Sequence, residues 1–372
     1  MDEILTQIEK TSSSQNKIKI LFTLSDDLRI SGCAWYRVWL PAVNLSIFFK
    51  DECEITCSDF VISKDETQYD IFYFTRQVKE DVVNFVEQMK EKNKNKFIIL
   101  DMDDNLLNIP SHIESAKKYY DGNKHNLFRI MKCADLFTFT QEHLAKTIMY
   151  YTGIYKPYIL LPNAVNTSKL QRSHPEFEGT IVIGWFGSWT HIKDFMIIKG
   201  LIEDVYSKIK DKMQIKLITI GIPKNLMLVH FFKAEPEFEW INIDWLPPPN
   251  YLETICSLGI HIGIAPLLDT EFNKCKSNIK LLEYVLAGAV FLASDVYPYS
   301  ETLTKFKQYT HAKNRYYDWY RKLYKLIIDH ELRKNIHNDL KKELAEKYSC
   351  ENVYQKFGKE LIDFYKKWRE SG

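Results

Sequence analysis

The chain lacks a dominant charge. Its 372 residues carry a formal net charge of +1. Bulk electrostatics therefore gives no reason to expect nucleic acid or an anionic membrane as a partner, although a local basic patch is compatible with it. No secretory leader is expected: "MDEILTQIEKTSSSQNK" has no basic start followed by an apolar stretch. No apolar run reaches the length that spans a bilayer, so no transmembrane segment is expected. The seven cysteines show no framework spacing. Cys53 and Cys57 are the one close pair, and no second pair or His pair completes a zinc set. Reduced thiols in a cytosol are the expectation, with peripheral attachment at a membrane left open. No short-period repeat or low-complexity tract is present.

What is there is an ordinary globular balance, 45% hydrophobic and 27% charged, with 22 Tyr and 22 Phe. Such a length exceeds one core and predicts two domains. Short apolar, β-branched runs predict strands at 17–24, 69–75, 96–101, 135–140 and 158–162. Helical stretches such as the one from Val78 lie between several of them. A polar, turn-rich stretch, "LPNAVNTSKLQRSHPEFEG", then reads as a linker. Strands resume at 180–187, 215–221, 259–267 and 289–295, again with helices between. The fold class expected is α/β, two successive Rossmann-like doubly wound units with parallel sheets. Ligands bind such sheets beyond the carboxyl ends of the strands, and two facing units would enclose a cleft.

Two stretches lie at those ends. In "KSNIKLLEYVLAG", helical winding puts Lys276, Lys280 and Glu283 on one stripe, with Leu281, Leu282, Val285 and Leu286 turned inward. The stripe alone fits a solvated salt bridge. Following a strand and opening a helix, it also fits two ammonium groups and a helix dipole on a diphosphate, with a carboxylate for ribose hydroxyls. Gly288 would end the helix. In "IGWFGSWTHIKDF", a strand ends at Gly187-Ser188-Trp189-Thr190 and is expected to enter a helix near His191. Small residues allow close backbone approach, and free N–H groups suit an anion; Ser188 or Thr190 could equally be a plain cap. The full dinucleotide glycine fingerprint is absent.

Together "GWFGSWTHIKD", "APLLDTEFNKCKSNIKLLEYVLAGAVFLASD", "ADLFTFTQEHLAK" and "LPNAVNTSKL" resemble group 1 (family 4) glycosyltransferases of the GT-B fold, over most of the chain and in order. The resemblance implies an N-terminal acceptor-side domain over 1–165 and a C-terminal nucleotide-sugar domain over 166–350. Residues 351–372 would be a helix packing back on the first. It implies a hexosyltransferase-like enzyme with a UDP- or GDP-sugar as donor substrate, no tightly bound cofactor and no metal. The acceptor would be a glycan, lipid-linked or other hydroxyl compound, and the reaction would retain anomeric configuration. Gly187, Ser188, Trp189, Thr190, Lys276, Ser277, Lys280 and Glu283 would hold the donor; Lys276 and Lys280 would stabilise the departing diphosphate. The family often has a second Glu eight positions before the ribose Glu. Here that position is Cys275, with Asp269 or Glu271 as substitutes from the loop.

In "RISGCAWYRVWLP", Gly32 belongs to the loop after the first strand, and Tyr36 and Arg37 open the next helix. The resemblance puts them on the acceptor side, Arg37 as an anion clamp or a surface salt bridge. "LDMDDNLLNIPSH" ends a strand at Asp101, Asp103 and Asp104. An Asp-x-Asp pair could hold a divalent cation; hydroxyl binding by Asp103 and Asp104, or a loop cap, is the expectation. In the resembling family a His from this region of the N-terminal domain can contact the donor sugar, which would be His112 here, against the reading of a solvated loop histidine. Two alternatives stay open. One is a phage- or virus-type enzyme glucosylating DNA bases, which would need a basic wall and a flipped-base pocket. The other is a catalytically inactive nucleotide-sugar-binding protein.

Overall fold

The structure, a computed structural model, describes residues 17–24, 31–59, 68–302 and 304–371. Residues 1–16, and Arg29 and Ile30 of the first loop, lie outside these residues. The chain divides into two compact units. The first comprises residues 1–163, 275–277 and 350–372, the second residues 164–274 and 278–349.

The first unit holds a six-stranded parallel sheet of β1 (Ile18–Leu24), β2 (Cys53–Asp59), β3 (Ile71–Thr75), β4 (Phe97–Met102), β5 (Leu136–Phe139) and β6 (Tyr158–Leu160). Their spatial order is β2-β1-β3-β4-β5-β6. Every residue of β3 and β4 is buried, as a sheet covered on both faces requires. Helix Glu80–Lys92 supplies part of that cover by burying Val82, Val83, Val86 and Met89 along one stripe. The last helix, Cys350–Ser371, belongs to this unit. Its Tyr365 and Trp368 rings meet Phe97 edge to face at 5.6 and 4.9 Å.

The second unit holds β7 (Thr180–Phe186), β8 (Gln214–Ile220), β9 (Glu239–Ile243), β10 (Ile262–Ala265), β11 (Val290–Ser294) and β12 (His311–Ala312), all parallel. The order is β12-β11-β10-β7-β8-β9. Both sheets start at an inner strand, build outward, and return to the other side of it. The order therefore reverses between β1 and β3 in the first sheet and between β7 and β10 in the second. Those reversals leave a crevice at the carboxyl ends.

Two expectations need correction. The segment after Gly187 does not enter an α-helix near His191. It makes two short 3₁₀ turns, Trp189–His191 and Asp194–Ile197, and the first α-helix is Leu201–Ile209. The stretch read as a linker is largely part of the second unit: Val165 bridges Ser349, and Thr167–Leu170 forms one helical turn.

Candidate functional site

At the reversal point of the second sheet, β7 runs out into Gly187 with φ +155°. A Cβ there would lie 3.0 Å from the Lys280 Nζ and 3.1 Å from the Trp185 ring. Glycine is needed both for the backbone angle and for this approach. Lys280 reaches the spot from helix Ile279–Leu286, which the sequence fixes against the sheet by one close contact. Tyr284 packs where a side chain on Gly263 of β10 would be, and its hydroxyl donates to the Ile264 carbonyl at 2.8 Å. Lys280 stands one turn before Tyr284. Its ammonium sits 4.7 Å from the Trp185 ring centroid, and the residue is only 7% exposed. Glu283, also 7% exposed, accepts from the Tyr251 hydroxyl at 2.6 Å. So the charges are not the solvated stripe that the spacing alone allows. Gly288, at φ +89°, follows the helix end.

The loop beside them is braced from within. Ser188 and Thr190 hydroxyls share a bond of 2.7 Å, and Ser188 makes no side-chain cap. Trp189 is 39% exposed. Asp194 binds His191 Nδ1 at 2.8 Å, accepts from the Leu268 amide at 2.8 Å and from Asn273 Nδ2 at 3.1 Å. It thus ties the loop after β7 to the loop after β10. Burial pushes its carboxyl up, but the hydrogen bond and charge of His191, the Leu268 amide and the Lys280 charge outweigh that and hold it below the usual range. The sequence reading missed Asp194; the Asp three residues after a His in a loop carries no distinctive spacing. Asp269 and Glu271 both pair with Lys274, at 3.1 and 3.0 Å.

Residues 275–277 belong to the first unit. Cys275 is fully buried among the apolar side chains of that unit's core, with Asn105 Nδ2 at 3.7 Å from its sulfur. It is a core residue in this chain. Lys276 Nζ lies 3.9 Å from Asp104 Oδ1, and Ser277 Oγ accepts from Asn163 at 2.9 Å.

The first unit also separates the residues expected on its acceptor side. Gly32 is the first residue of a short helix capped by Ser31, and Trp35–Trp39 continue it as a π-turn. Tyr36 is buried. Arg37 is neither an anion clamp at the surface nor a surface salt bridge. It is 0% exposed, grips Asp101 at 3.1 and 2.6 Å, and donates to the Leu161 carbonyl and Asn163 Oδ1 at 2.6 and 3.0 Å. A guanidinium with this many internal acceptors is a structural strut. Asp103 and Asp104 are both held by Arg76, Asp104 at 2.9 Å from Nη2. Burial pushes the Asp103 carboxyl up, and the Arg76 charge and hydrogen bond overcome it, leaving it below the usual range. The three carboxylates of the Asp-x-Asp-Asp run are thus each paired with a guanidinium. Among the described residues no group of three His, Cys, Asp or Glu side chains is arranged for a metal. His112 lies half-buried in the turn before helix Glu114–Gly122.

No protein-family model matches the chain, and no curated protein matches it either. Solved structures do. The HepE protein of Anabaena, in complex with UDP and glucose, superposes with a TM-score of 0.63 at 11% identity, over 93% of this chain and 100% of that one. An alpha-glucosyltransferase in complex with UDP and a 13-mer DNA containing a HMU base gives 0.61 at 12%, over 95% and 100%. A putative UDP-N-acetylglucosamine 2-epimerase from Listeria monocytogenes gives 0.54 at 8%, over 94% and 97%. Likeness at such identities speaks for architecture alone: the chain has the GT-B fold, two doubly wound α/β units with six parallel strands each.

Proposed function

We propose that the protein is a glycosyltransferase that moves a sugar from a nucleoside-diphosphate sugar, a UDP-sugar in the first instance, to a hydroxyl acceptor. One observation carries this reading. At the reversal point of the second sheet, a buried ammonium, Lys280, stands over Trp185 against a side-chain-free backbone at Gly187, with the Glu283–Tyr251 pair one turn on. Buried cations beside exposed backbone N–H groups suit an anion, and a carboxylate beside them suits paired hydroxyls. A nucleoside diphosphate has both. UDP in the HepE and alpha-glucosyltransferase complexes supports this choice.

In the reaction, the bond between the anomeric carbon and the β-phosphate oxygen breaks, and its electron pair stays on the phosphate. The acceptor oxygen bonds the anomeric carbon, and its proton passes to the departing β-phosphate oxygen. Lys280 and the 188–190 amides stabilise the departing diphosphate, the Gly187 amide being already given to the Ile220 carbonyl at 3.1 Å, and Glu283 holds the ribose. Lys276 serves as the second cation, and His112 acts at the sugar, both assigned by the resemblance. The chemistry needs no metal and retains configuration, again by resemblance. The expected acceptor is a glycan, lipid-linked or other hydroxyl compound. A DNA base is the second reading, favoured by the fold shared with the DNA-bound glucosyltransferase.

A thermal-shift series with UDP, GDP and their sugars tests the donor, since a ligand that binds only the folded state raises the midpoint. Release of UDP or GDP from the sugar nucleotides tests catalysis. A rise with UDP and release of UDP support the reading. Binding without release, for every donor and acceptor tried, makes the protein a non-catalytic binder. No shift with any nucleotide removes the reading altogether.

A further inference from the structure

The amino-terminal end of the first sheet, where its strands begin, carries a hollow that the transfer chemistry does not use. It measures about 400 Å³, and Lys17, Lys19, Gln68, Asp70, Tyr365 and Arg369 stand in its wall. Three parts of the chain meet there. Lys17 and Lys19 flank Ile18, the first residue of β1, and Asp70 immediately precedes β3. The two strands are locked together at this point. The Lys19 amide donates to Asp70 Oδ2, and the Asp70 amide to the Lys19 carbonyl, both at 2.8 Å. Tyr365 and Arg369 come from the last helix, which the contacts of Tyr365 and Trp368 with Phe97 hold in place. Arg369 stands one turn after Tyr365 on the same stripe, with its guanidinium 6.0 Å from that ring centroid.

Two of the three cations are uncommitted. Lys17 makes no hydrogen bond or ion pair with any described residue. Arg369 makes one hydrogen bond, 3.4 Å long, to the Tyr365 hydroxyl, and no ion pair among the described residues. Burial raises the Tyr365 pKa, so that hydroxyl brings no charge to the guanidinium. Lys19 leans on Glu54 at 4.0 Å. Asp70 is the one carboxylate in the wall, and one of its oxygens already holds a backbone amide. A guanidinium with most of its five N–H donors unused matches a phosphoryl group bidentately. A phosphate monoester carries about −1.5 to −2 charges near pH 7, which two free cations balance.

We propose that this hollow binds a phosphate monoester, with the phosphoryl group at Arg369 and Lys17 and the esterified alcohol toward Asp70 and Gln68. A neutral sugar would leave both cations without a partner. A monocarboxylate would satisfy one of them, and a divalent cation would meet three positive side chains. Donor and acceptor belong at the carboxyl ends of the strands. A ligand at the opposite end of this sheet stands outside the transfer chemistry, and its binding does not rest on the function proposed above.

The test uses the full chain without nucleotide. Calorimetric titration with glucose 6-phosphate, and with glucose as control, reads a soluble ester. Cosedimentation with phosphatidylcholine vesicles containing phosphatidic acid, whose headgroup is the same monoester, reads a lipid. Saturable binding in one arm or both is expected, with none of glucose; the arm that responds identifies the source. Arg369→Gln and Lys17→Gln should each weaken it about tenfold or more, the worth of a hydrogen bond to a charged group. The melting temperature should stay level, a combination that a merely structural role would not give. No binding in either arm overturns the proposal, as does binding that both variants leave unchanged. Binding that UDP displaces, or that Lys280→Met abolishes and Arg369→Gln keeps, puts the ester in the donor site and overturns it too. The UDP thermal shift is measured separately, so each of the two readings can fail while the other stands.

Discussion

Two buried cations show how differently a single residue can be used. Arg37 has four hydrogen bonds to groups of its own unit. Removing it strands the Asp101 carboxylate in the interior, and breaking a buried pair from one side costs about 3–5 kcal/mol. Arg37→Ala should therefore lower the stability of the first unit by about that amount in a urea titration, with UDP affinity of the folded protein unchanged. Lys280 is surrounded by an indole face, a glycine and the charge of Asp194. Lys280→Met keeps the volume and drops the charge. Calorimetric titration should show UDP affinity falling about 10- to 100-fold, the scale of a charge-assisted bond, with the melting temperature level or raised. Unchanged affinity would remove Lys280 from the donor site. Lys280 and Glu283 were legible because helix spacing and a preceding strand mark them. Arg37 was legible as a residue type and misplaced, since its burial is set by β4 and by Leu161, far along the chain. Arg76 was invisible: nothing local in "FTRQV" announces a left-handed backbone, φ +48°.

At the scale of elements, helix Ile279–Leu286 is anchored at its far end by imidazoles. His174 Nδ1 donates to the Gly288 carbonyl at 2.9 Å, and His337 Nε2 donates to Val285 at 3.4 Å. His261 and His330 pack on the His174 ring at 5.9 and 6.0 Å. The charged groups nearby are Arg333, which contacts His330, the Glu176–Lys334 pair, and Lys341. Burial pushes His174 down to about 3 and His261 and His337 to about 4. Their folded values lie below the ordinary 6.5, so the folded form binds fewer protons. This stability is complete above pH 6.5 and is lost as pH falls toward 4 and 3. Each imidazole would cost about 2 kcal/mol at pH 5. Denaturant titrations of the whole chain at pH 7.5 and 5.0 should show a sharp loss, and His174→Gln should reduce the difference between them. A flat profile would contradict the neutral cluster. The strands tell where pattern reading stops. Nine were legible as buried apolar runs. The three that were not, β2, β9 and β12, are all sheet edges. An edge strand has one side without a partner, so "CEITCSD" and "EWINI" mix polar residues into the run and lose the signal.

At the scale of the whole molecule, two strand series separated by a polar stretch were enough to read two α/β units. Their interleaving was not. Residues 275–277 return to the first unit because Cys275 packs in its core, and no three-residue pattern encodes such a long-range contact. Charge bears on the choice proposed above, between a glycan or other hydroxyl acceptor and DNA. Fifty Lys and Arg stand against 49 Asp and Glu, and the cations at the first sheet's edge, Arg76 and Lys276, face Asp103 and Asp104. A protein that reaches a base in a duplex must first neutralise phosphates, and each neutralised phosphate adds to the salt dependence of binding. Cations already committed to carboxylates release few counterions. Fluorescence anisotropy with a hydroxymethylated duplex, at 50 and 200 mM salt, should therefore show weak binding with a shallow slope. A drop of about a thousandfold between those salts, the signature of six or more phosphate contacts, would instead make DNA the acceptor and require a basic surface beyond the edge described.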